Sequence, residues 1–343
     1  MLIPFTVDPD IFIESSDDLS CRKKHNTLLQ FWSKFGVLVI PGEKESDSKL
    51  LISFRQAPQS IQSIWKSGFR HYRKIRCSSK FADALALDIP IRDENLCAGI
   101  RLVSLDRDRG ELWGLDGDHY SMVIANNLEI CRFGDETETA VVKDVIADSM
   151  RPIAAEDLPE KIWRNRFFGL AHNARVITVV DRYALKNFIN SPRDGLDGLE
   201  FFISKISIMS TANRKIINIF SAYSIEWNLF GKGVSFEKGI QLAIREMNTR
   251  FQRLFSHSIS EISINIASDS SFGRPVHYRY VLFDQQTLIQ LDTGLESLGH
   301  IPTNLRRTCP CSLIEWLSEV AEPYRSDYRK LVDVVEHSER LTP

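Results

Sequence analysis

The first 150 residues alternate between short apolar runs and longer segments with helical spacing. Helical intervals separate the apolar side chains of residues 24–34 and 48–75, the second segment being broken near Pro58. Five runs have the length of strands: 2–7, 36–40, 99–104, 120–125 and 128–132. Strands that alternate with helices predict an α/β domain in this half of the chain.

A second alternation follows residue 174. Residues 235–255 have the apolar stripe of an amphipathic helix, and residues 193–205 predict a shorter one. Strands are predicted at 175–180, 216–220, 262–266, 277–283 and 288–291. This order favours a mixed sheet between helices. Near the end, Ser312 with Glu315 has the spacing of a capping box and predicts a last helix at Trp316.

A proline-punctuated stretch at residues 151–159 separates the two alternations. We therefore expect an α/β protein of two domains. The predicted divisions are an N-terminal α/β domain at 1–158, a bridging helix at 159–173, a mixed-sheet domain at 174–304 and a helical extension at 305–343.

Composition narrows the functional classes. The 343 residues carry a net charge of −2, so no global field draws the chain to nucleic acid or an anionic membrane. No apolar run approaches the roughly 18 residues that span a bilayer. The N-terminus reaches an acidic residue, Asp8, without a basic region or cleavage site. We expect a cytoplasmic protein without a membrane span.

The most informative candidate chemistry lies at His277, Arg279 and Asp284. In a strand, His277 and Arg279 project from one face, and a turn after Phe283 is expected to bring Asp284 to the rim. An imidazole serves as nucleophile or general base, and a guanidinium holds phosphate through paired hydrogen bonds. The alternative is a half-buried strand histidine satisfied by its neighbours.

The spacing His277-x-Arg279-x4-Asp284 resembles the phospholipase D superfamily signature, with arginine in place of lysine. The longer stretch through Gly294-Leu295, with the upstream segment 179–183, is similar to the phospholipase D-like domain that follows MIT domains. The resemblance implies a catalytic role for the three residues without a cofactor. It also implies a strand at 175–180 beside the strand that bears His277. Because active members pair two histidine motifs, hydrolysis implies a symmetric homodimer.

Acidic residues in the N-terminal half form a second candidate site. Three acidic pairs flank predicted strands: Asp8 and Asp10 after the first strand, Asp116 and Asp118 before the run at 120–125, and Asp135 and Glu136 after the run at 128–132. The predicted ligands are Asp8, Asp118 and Asp135. This pattern is similar to PIN-like nucleases, in which such carboxylates hold Mg²⁺. The alternative interpretation is that these acids occupy solvated loops and turns, which aspartate favours.

Two basic stretches are candidate phosphate contacts. His71 and Arg73 lie in the sequence RHYRKIR, with Tyr72 available for stacking, and Arg306 and Arg307 follow the predicted strands of the second domain. The alternatives are cations at the end of a helix and a solvated loop, respectively.

Taken with the resemblances, these features predict a nuclease-type phosphodiesterase, or a nucleic-acid-processing component of a prokaryotic antiviral defence or mobile-element system, with nucleic acid and protein partners. The alternative is a non-catalytic phospholipase D-like module that recognises phosphate groups or a protein partner. Replacement of the usual lysine by Arg279, together with Leu295 after Gly294, favours binding over hydrolysis.

Overall fold

The computed structural model describes residues 2–13, 18–42, 44, 46, 48–77, 100–125, 128–191, 197–209, 214–255, 258–273, 279–299 and 308–342. The chain divides into two compact units, Met1–Ala147 and Asp148–Pro343, and each contains its own sheet. Within those ranges no helix combines the length and the apolar character needed to cross a membrane.

The sheet of the first unit is doubly wound. Its strands are β1 (Ile3–Val7), β2 (Gly36–Pro41), β3 (Lys74–Cys77), β4 (Leu102–Leu105), β5 (Ser121–Ala125) and β6 (Leu128–Arg132). They lie in the order β3-β2-β1-β4-β6-β5. All neighbours are parallel except β5, which pairs antiparallel with β6 at one edge. The strand order reverses between β1 and β4, which creates a topological switch point.

Helices connect these strands and supply an aromatic core. Their ranges are Asp10–Ile13, Leu19–Lys34, Lys49–Gln56, Gln59–His71, Arg107–Leu112 and Ala140–Met150. Asp18 begins the second of them by accepting a hydrogen bond from the backbone N–H of Cys21 at 2.7 Å. The fully buried rings of Trp32 and Trp65 lie 5.6 Å apart between centroids and anchor two helices.

The sheet of the second unit is mixed. Its strands are β7 (Val176–Val180), β8 (Lys215–Tyr223), β9 (Ile259–Ser268), β10 (Tyr280–Phe283), β11 (Thr287–Leu291), β12 (Cys311–Glu315) and β13 (His337–Leu341). They lie in the order β12-β11-β10-β7-β8-β9-β13. Strands β7, β8 and β9 are parallel, and the other pairings are antiparallel.

The first three helical segments of the second unit follow one another directly and cover residues 159–173. The segments are Pro159–Ile162, the π-helical Trp163–Phe167, Phe168–Asn173, Ala184–Asn190, Gly198–Ser207, Phe236–Gln252, Asp269–Gly273 and Glu322–Asp333. Helix Gly198–Ser207 starts at Asp197, whose carboxylate accepts from the backbone N–H groups of Leu199 and Glu200.

The strand expected beside β7 was predicted at 277–283, of which residues 280–283 form β10, and His277 lies outside the described residues. Strand β10 pairs antiparallel with β7, with Tyr280 opposite Val180 and Phe283 opposite Ile177. The apolar side chains of both strands are buried except for the half-buried Val176, so pairing with neighbouring strands satisfies their backbone groups away from water.

The capping box at Ser312 is wrong. Cys311–Glu315 forms strand β12, in which Ser312 pairs with Gln290 of β11, and the following helix begins only at Glu322. A capping box satisfies two backbone donors, whereas pairing with β11 satisfies groups along the whole strand and places Trp316 in the core. In its described residues, 308–342, the extension expected to be helical therefore contains two strands, a short 3-10 helix at Glu319–Ala321 and one α-helix.

Candidate metal centre

Two strands of the first unit bring aspartates to the same edge of the sheet. Asp8 follows β1 and Asp106 follows β4, and these strands are parallel neighbours with Val7 opposite Ser104. The backbone N–H of Asp8 donates to the carbonyl of Ser104 at 2.8 Å. Both acids thus lie at the carboxyl ends of strands at the switch point, where open α/β sheets bind ligands.

Local hydrogen bonds hold the carboxylates in place. Oδ1 of Asp8 accepts from the backbone N–H of Asp10 at 3.0 Å, where a short helix begins. Asp106 is the N-cap of helix Arg107–Leu112 and accepts from the backbone N–H of Arg109 at 2.9 Å. The turns after both strands therefore fix the side chains that the strands deliver.

Asp8, Asp10 and Asp106 form one cluster. Each offers a carboxylate oxygen, and these oxygens lie within 4.8 Å of one another. Asp8 and Asp106 are buried, whereas Asp10 is about two-fifths exposed, with 38% of its side-chain surface accessible. The cluster is therefore a buried pair of carboxylates with a third at its mouth.

A guanidinium of the same unit bridges this cluster. Arg109 lies 3.1 Å from Asp8, 3.0 Å from Asp10 and 3.7 Å from Asp106, measured between nitrogen and oxygen. Three carboxylates thus share one cation, so the cluster retains an excess of negative charge when all of them are ionised.

Burial raises the pKa of Asp8 well above its usual range, because desolvation penalises the charged carboxylate. The nearby Asp106 raises the pKa further, and the attraction of Arg109 opposes both effects only in part. The second oxygen, Oδ2, is buried and accepts no hydrogen bond from the described residues. A carboxylate oxygen in this position can share a proton with the neighbouring Asp106 or bind a cation.

The donor set fits a hard divalent cation. Mg²⁺ and Mn²⁺ prefer carboxylate oxygens together with water, and the three aspartates supply oxygens only. Asp8 and Asp106 would hold the ion through buried oxygens, while Asp10 and solvent complete the open side. Such an ion would compete with Arg109 for the same carboxylates.

A cavity of about 740 Å³ opens beside Asp106. Its wall carries charges of both signs, including Asp116, Asp135, Lys24 and Arg132. It is large enough for a nucleotide-sized ligand, since small-molecule sites typically span roughly 300–1,000 Å³. The cations on its wall provide partners for an anionic group.

A further buried acid follows β6. Glu136 accepts hydrogen bonds at Oε1 from the hydroxyl of Ser104 at 2.7 Å and from the backbone N–H of Gly134 at 3.0 Å. Its Oε2 has no hydrogen-bond partner among the described residues. Burial raises the pKa of Glu136 to about 7.

Of the three predicted metal ligands, the structure places only Asp8 in the cluster. Asp118 is exposed in the turn before β5, which agrees with the solvated-loop alternative. Asp135 pairs with Arg132 at 2.9 Å and faces the cavity instead. Sequence reasoning named the wrong acids because it weighted the approach to β5 and not the residue directly after β4.

Asp106 and Arg109 are the site residues that sequence analysis missed. A usable signal existed, because Asp106 follows the apolar run Leu102–Leu105 as Asp8 follows β1. No comparable local signal marks Arg109, whose role depends on contacts with β1 residues far away in the chain.

The predicted phosphate contacts at His71 and Arg73 lie at the end of helix Gln59–His71. His71 is exposed in its last turn, where cations complement the helix dipole. Arg73 donates to the carbonyl of Ser33 at 3.4 Å, and the ring of Tyr72 packs edge-on against Trp32. This geometry agrees with the alternative of cations at the end of a helix. Contact with Trp32 also covers part of the Tyr72 ring.

His277, Arg306 and Arg307 lie outside the described residues. The structure does not bring Arg279 and Asp284 together. They flank β10 at opposite ends, and since a strand rises about 3.4 Å per residue, the five steps from one to the other span roughly 17 Å. The expected return of Asp284 to the rim beside Arg279 is therefore wrong.

The carboxylate of Asp284 has a structural partner. It accepts from the backbone N–H groups of Arg175, at 2.9 and 3.0 Å, and Val176, at 2.7 Å, where β7 begins. Asp284 has a φ of 50°, a turn conformation that aspartate tolerates better than most residues. It thus joins the β10–β11 turn to the start of β7.

Arg279 lies at the other end of β7. Its Nε is 3.9 Å from the buried carboxylate of Asp181, and its guanidinium lies 4.9 Å from the centre of the Tyr183 ring. Asp181 also accepts from the backbone N–H groups of Tyr183 at 2.9 Å and Leu295 at 3.1 Å. Gly294 allows this approach, because a Cβ there would clash with Asp181.

Comparison with known proteins gives no further assignment. No protein-family model matches the chain, and no curated protein matches it with significant similarity.

Proposed function

We propose that the first unit is a divalent-metal-dependent phosphodiesterase of the nuclease type, with Asp8, Asp10 and Asp106 as its metal-binding residues. The buried, unpartnered Oδ2 of Asp8 carries the proposal. It lies at the switch point of a doubly wound sheet, within a cluster whose carboxylates outnumber their one guanidinium.

Charge balance supports a dication. One guanidinium leaves the ionised cluster with two uncompensated negative charges, and burial makes that deficit costly. The raised pKa of Asp8 reports the same cost. A bound Mg²⁺ or Mn²⁺ would remove the deficit, lower the pKa of a bound water and stabilise charge on a phosphate.

The protein's own residues divide the remaining work. Asp8 and Asp106 fix the position of the ion, because backbone hydrogen bonds hold both carboxylates. An ion bound by these carboxylates would compete with Arg109, and a guanidinium freed by that competition could bind a phosphate. Lys24 on the cavity wall supplies further positive charge, whereas Arg132 there is paired with Asp135.

The second unit favours the other predicted role, recognition without catalysis. This role is supported by the separation of Arg279 from Asp284 along β10. The guanidinium of Arg279 contacts Asp181 and Tyr183 instead. We assign hydrolysis to the first unit and binding to the second.

The test combines metal binding with cleavage. Calorimetric titration with Mn²⁺ is compared for the wild type, Asp8→Asn, Asp106→Asn and the control Asp118→Asn, which removes an exposed carboxylate outside the cluster. The same proteins are incubated with labelled single- and double-stranded oligonucleotides. We expect the first two variants to lose Mn²⁺ binding and at least about 100-fold in cleavage rate, because the ion supplies most of the charge stabilisation.

Asp118→Asn should match the wild type in both assays. Equal Mn²⁺ affinity in the wild type and Asp8→Asn would overturn the metal site. Binding that depends on Asp8 without cleavage of any oligonucleotide would overturn the phosphodiesterase assignment.

A further inference from the structure

Three strands of the second unit bring basic and aromatic side chains to one edge of its sheet. Arg182 and Tyr183 follow β7, and Trp227 follows β8 in the turn Ile225–Trp227. Arg279 precedes β10, which runs antiparallel to β7 and so begins where β7 ends. Side chains far apart in sequence therefore meet beyond the carboxyl ends of the parallel strands.

The ring of Tyr183 is the centre of this group. The cationic groups of Arg279, Arg182 and Lys186 lie 4.9, 5.3 and 5.7 Å from its centroid, respectively. The ring of Trp227 is 5.8 Å away, and Lys186 also lies 5.3 Å from the Trp227 ring. Cations and aromatic rings thus alternate over a continuous, half-exposed surface.

The cations differ in how far they are neutralised. Arg182 forms two hydrogen bonds with Asp269, at 2.7 and 2.9 Å. Arg279 has only the longer contact with Asp181, whose oxygens also accept from two backbone N–H groups. Within the described part of the chain, no carboxylate pairs with Lys186. The positive charge available for an anion is therefore concentrated at Lys186 and Arg279.

We propose that Tyr183, Lys186, Trp227 and Arg279 form a binding surface for a single nucleic-acid strand. Lys186 and Arg279 contact its phosphates, and the ring of Trp227 stacks on a base. Alternation of cations with aromatic faces is the arrangement that binds unpaired strands, since every base has a π-face and every nucleotide a phosphate.

A nucleic acid fits this surface better than a lipid headgroup. Trp227 packs against the core that contains Phe220 and Tyr280, so its ring is held as a fixed platform. Membrane insertion needs aromatic side chains that can enter the lipid, whereas stacking benefits from a ring already fixed in place. The close spacing of aromatic rings and cations therefore favours a ligand that carries both bases and phosphates.

This proposal rests on the proposed function only in taking the bound nucleic-acid strand as the substrate of the first unit. A binding assay without metal tests the surface independently of hydrolysis. Anisotropy of a fluorescein-labelled oligouridylate is measured in EDTA over a range of NaCl concentrations. The proteins are the wild type, Trp227→Ala, Trp227→Phe, Lys186→Gln and the control Arg245→Ala. Arg245 is an exposed cation on helix Phe236–Gln252, outside this surface.

Trp227→Ala is expected to raise Kd by roughly 5- to 100-fold, the usual loss for one stacked base, and Trp227→Phe to restore much of it. Lys186→Gln should flatten the log–log salt dependence by about 0.7, as for one lost phosphate contact on a single strand. Arg245→Ala should change neither quantity. Equal far-ultraviolet circular dichroism spectra confirm that the variants are folded.

Several results would overturn the surface. One is unaltered affinity and salt dependence in Trp227→Ala and Lys186→Gln. Another is an effect of Arg245→Ala equal to that of Lys186→Gln. A third is the absence of oligonucleotide binding by the wild type. Binding to vesicles containing phosphatidylserine in place of the oligonucleotide would replace the nucleic acid with a lipid. Loss of cleavage in Asp8→Asn with binding intact would leave this proposal standing and locate the chemistry in the first unit.

Discussion

The guanidinium of Arg109 and the carboxylate of Asp8 form an ion pair of 3.1 Å inside the candidate metal centre. The same guanidinium reaches Asp10 at 3.0 Å. The side chain of Arg109 therefore engages two of the carboxylates that the proposed ion needs. Metal binding is expected to be a competition, in which the ion displaces Arg109 and gains most when Arg109 is absent.

Replacement of Arg109 by alanine tests this competition. In EDTA, Arg109→Ala should lower the free energy of unfolding by about 2 kcal/mol, because carboxylates that shared a cation lose it. Added Mn²⁺ should then raise the melting temperature of the variant more than that of the wild type. The measurement is thermal unfolding with and without Mn²⁺.

Arg107→Ala is the matched control, since Arg107 is an exposed neighbour on the same helix whose guanidinium pairs with Glu111 at 2.9 Å. It should leave the response to Mn²⁺ unchanged. A smaller Mn²⁺ effect in Arg109→Ala than in the wild type would show that the guanidinium helps to bind the ion instead of competing with it.

His25 makes the first unit sensitive to acid. It is fully buried, Trp65 donates its indole N–H to Nδ1 at 3.0 Å, and burial lowers the pKa of His25 from 6.5 to about 4. Below pH 6.5 the unfolded chain binds a proton that the folded chain refuses, so stability falls with pH until about pH 4. Between pH 7 and pH 5 this group should cost about 2 kcal/mol, measured by urea unfolding.

His25→Gln should reduce that pH dependence, because glutamine does not titrate and keeps an acceptor for Trp65. The exposed His119, changed to Gln, should leave it unaltered. An equal pH slope in the wild type and His25→Gln would exclude His25 as its source.

Gly294 is expected to resist substitution for two reasons. Its φ is +72°, and a Cβ would clash with Asp181. Gly231 shares only the first, with a φ of +95° and open space around it. Gly231→Ala should cost about 1 kcal/mol and Gly294→Ala at least about 3 kcal/mol in urea unfolding. Similar losses in the two variants would mean that Asp181 moves aside at little cost.

Asp284 is expected to matter for stability and not for hydrolysis. Asp284→Ala removes the acceptors of the Arg175 and Val176 N–H groups and should cost about 1–2 kcal/mol. Asp284→Asn, which keeps one acceptor oxygen and tolerates a positive φ, should cost less. Cleavage rates per folded molecule should equal that of the wild type, and a selective loss of cleavage in Asp284→Asn would restore its predicted catalytic role.

Apolar periodicity predicted most of the sheet and helix positions because burial leaves a local pattern. The run 36–40 became β2, 128–132 became β6, and the stripe at 235–255 became helix Phe236–Gln252. Strand β12 escaped because its pairing partner is β11, whereas the signal near Ser312 was that of a helix cap. Local spacing cannot weigh a cap against a distant strand.

In the candidate sites, too, residues marked by a local sequence pattern were predicted, and residues placed by contacts between distant strands were not. Asp8 was found because it directly follows a strong apolar strand. Arg109 was not, because its contacts with Asp8 and Asp10 require the parallel pairing of β1 with β4. For Arg279 and Asp284, the spacing was read correctly as a strand, but a strand carries its two flanking residues apart. Convergence needs side chains from different strands, as Arg279 and Asp181 show.

Strands β12 and β13 form opposite edges of the second sheet, and both come from residues 308–342. During synthesis, β7 to β11 emerge from the ribosome first, and each edge of that five-stranded sheet exposes unpaired backbone groups until this segment follows. A single late segment thus closes both edges. A chain truncated before residue 308 would leave the backbone groups of β11 and β9 unpaired, and we expect it to aggregate more readily than the full-length chain.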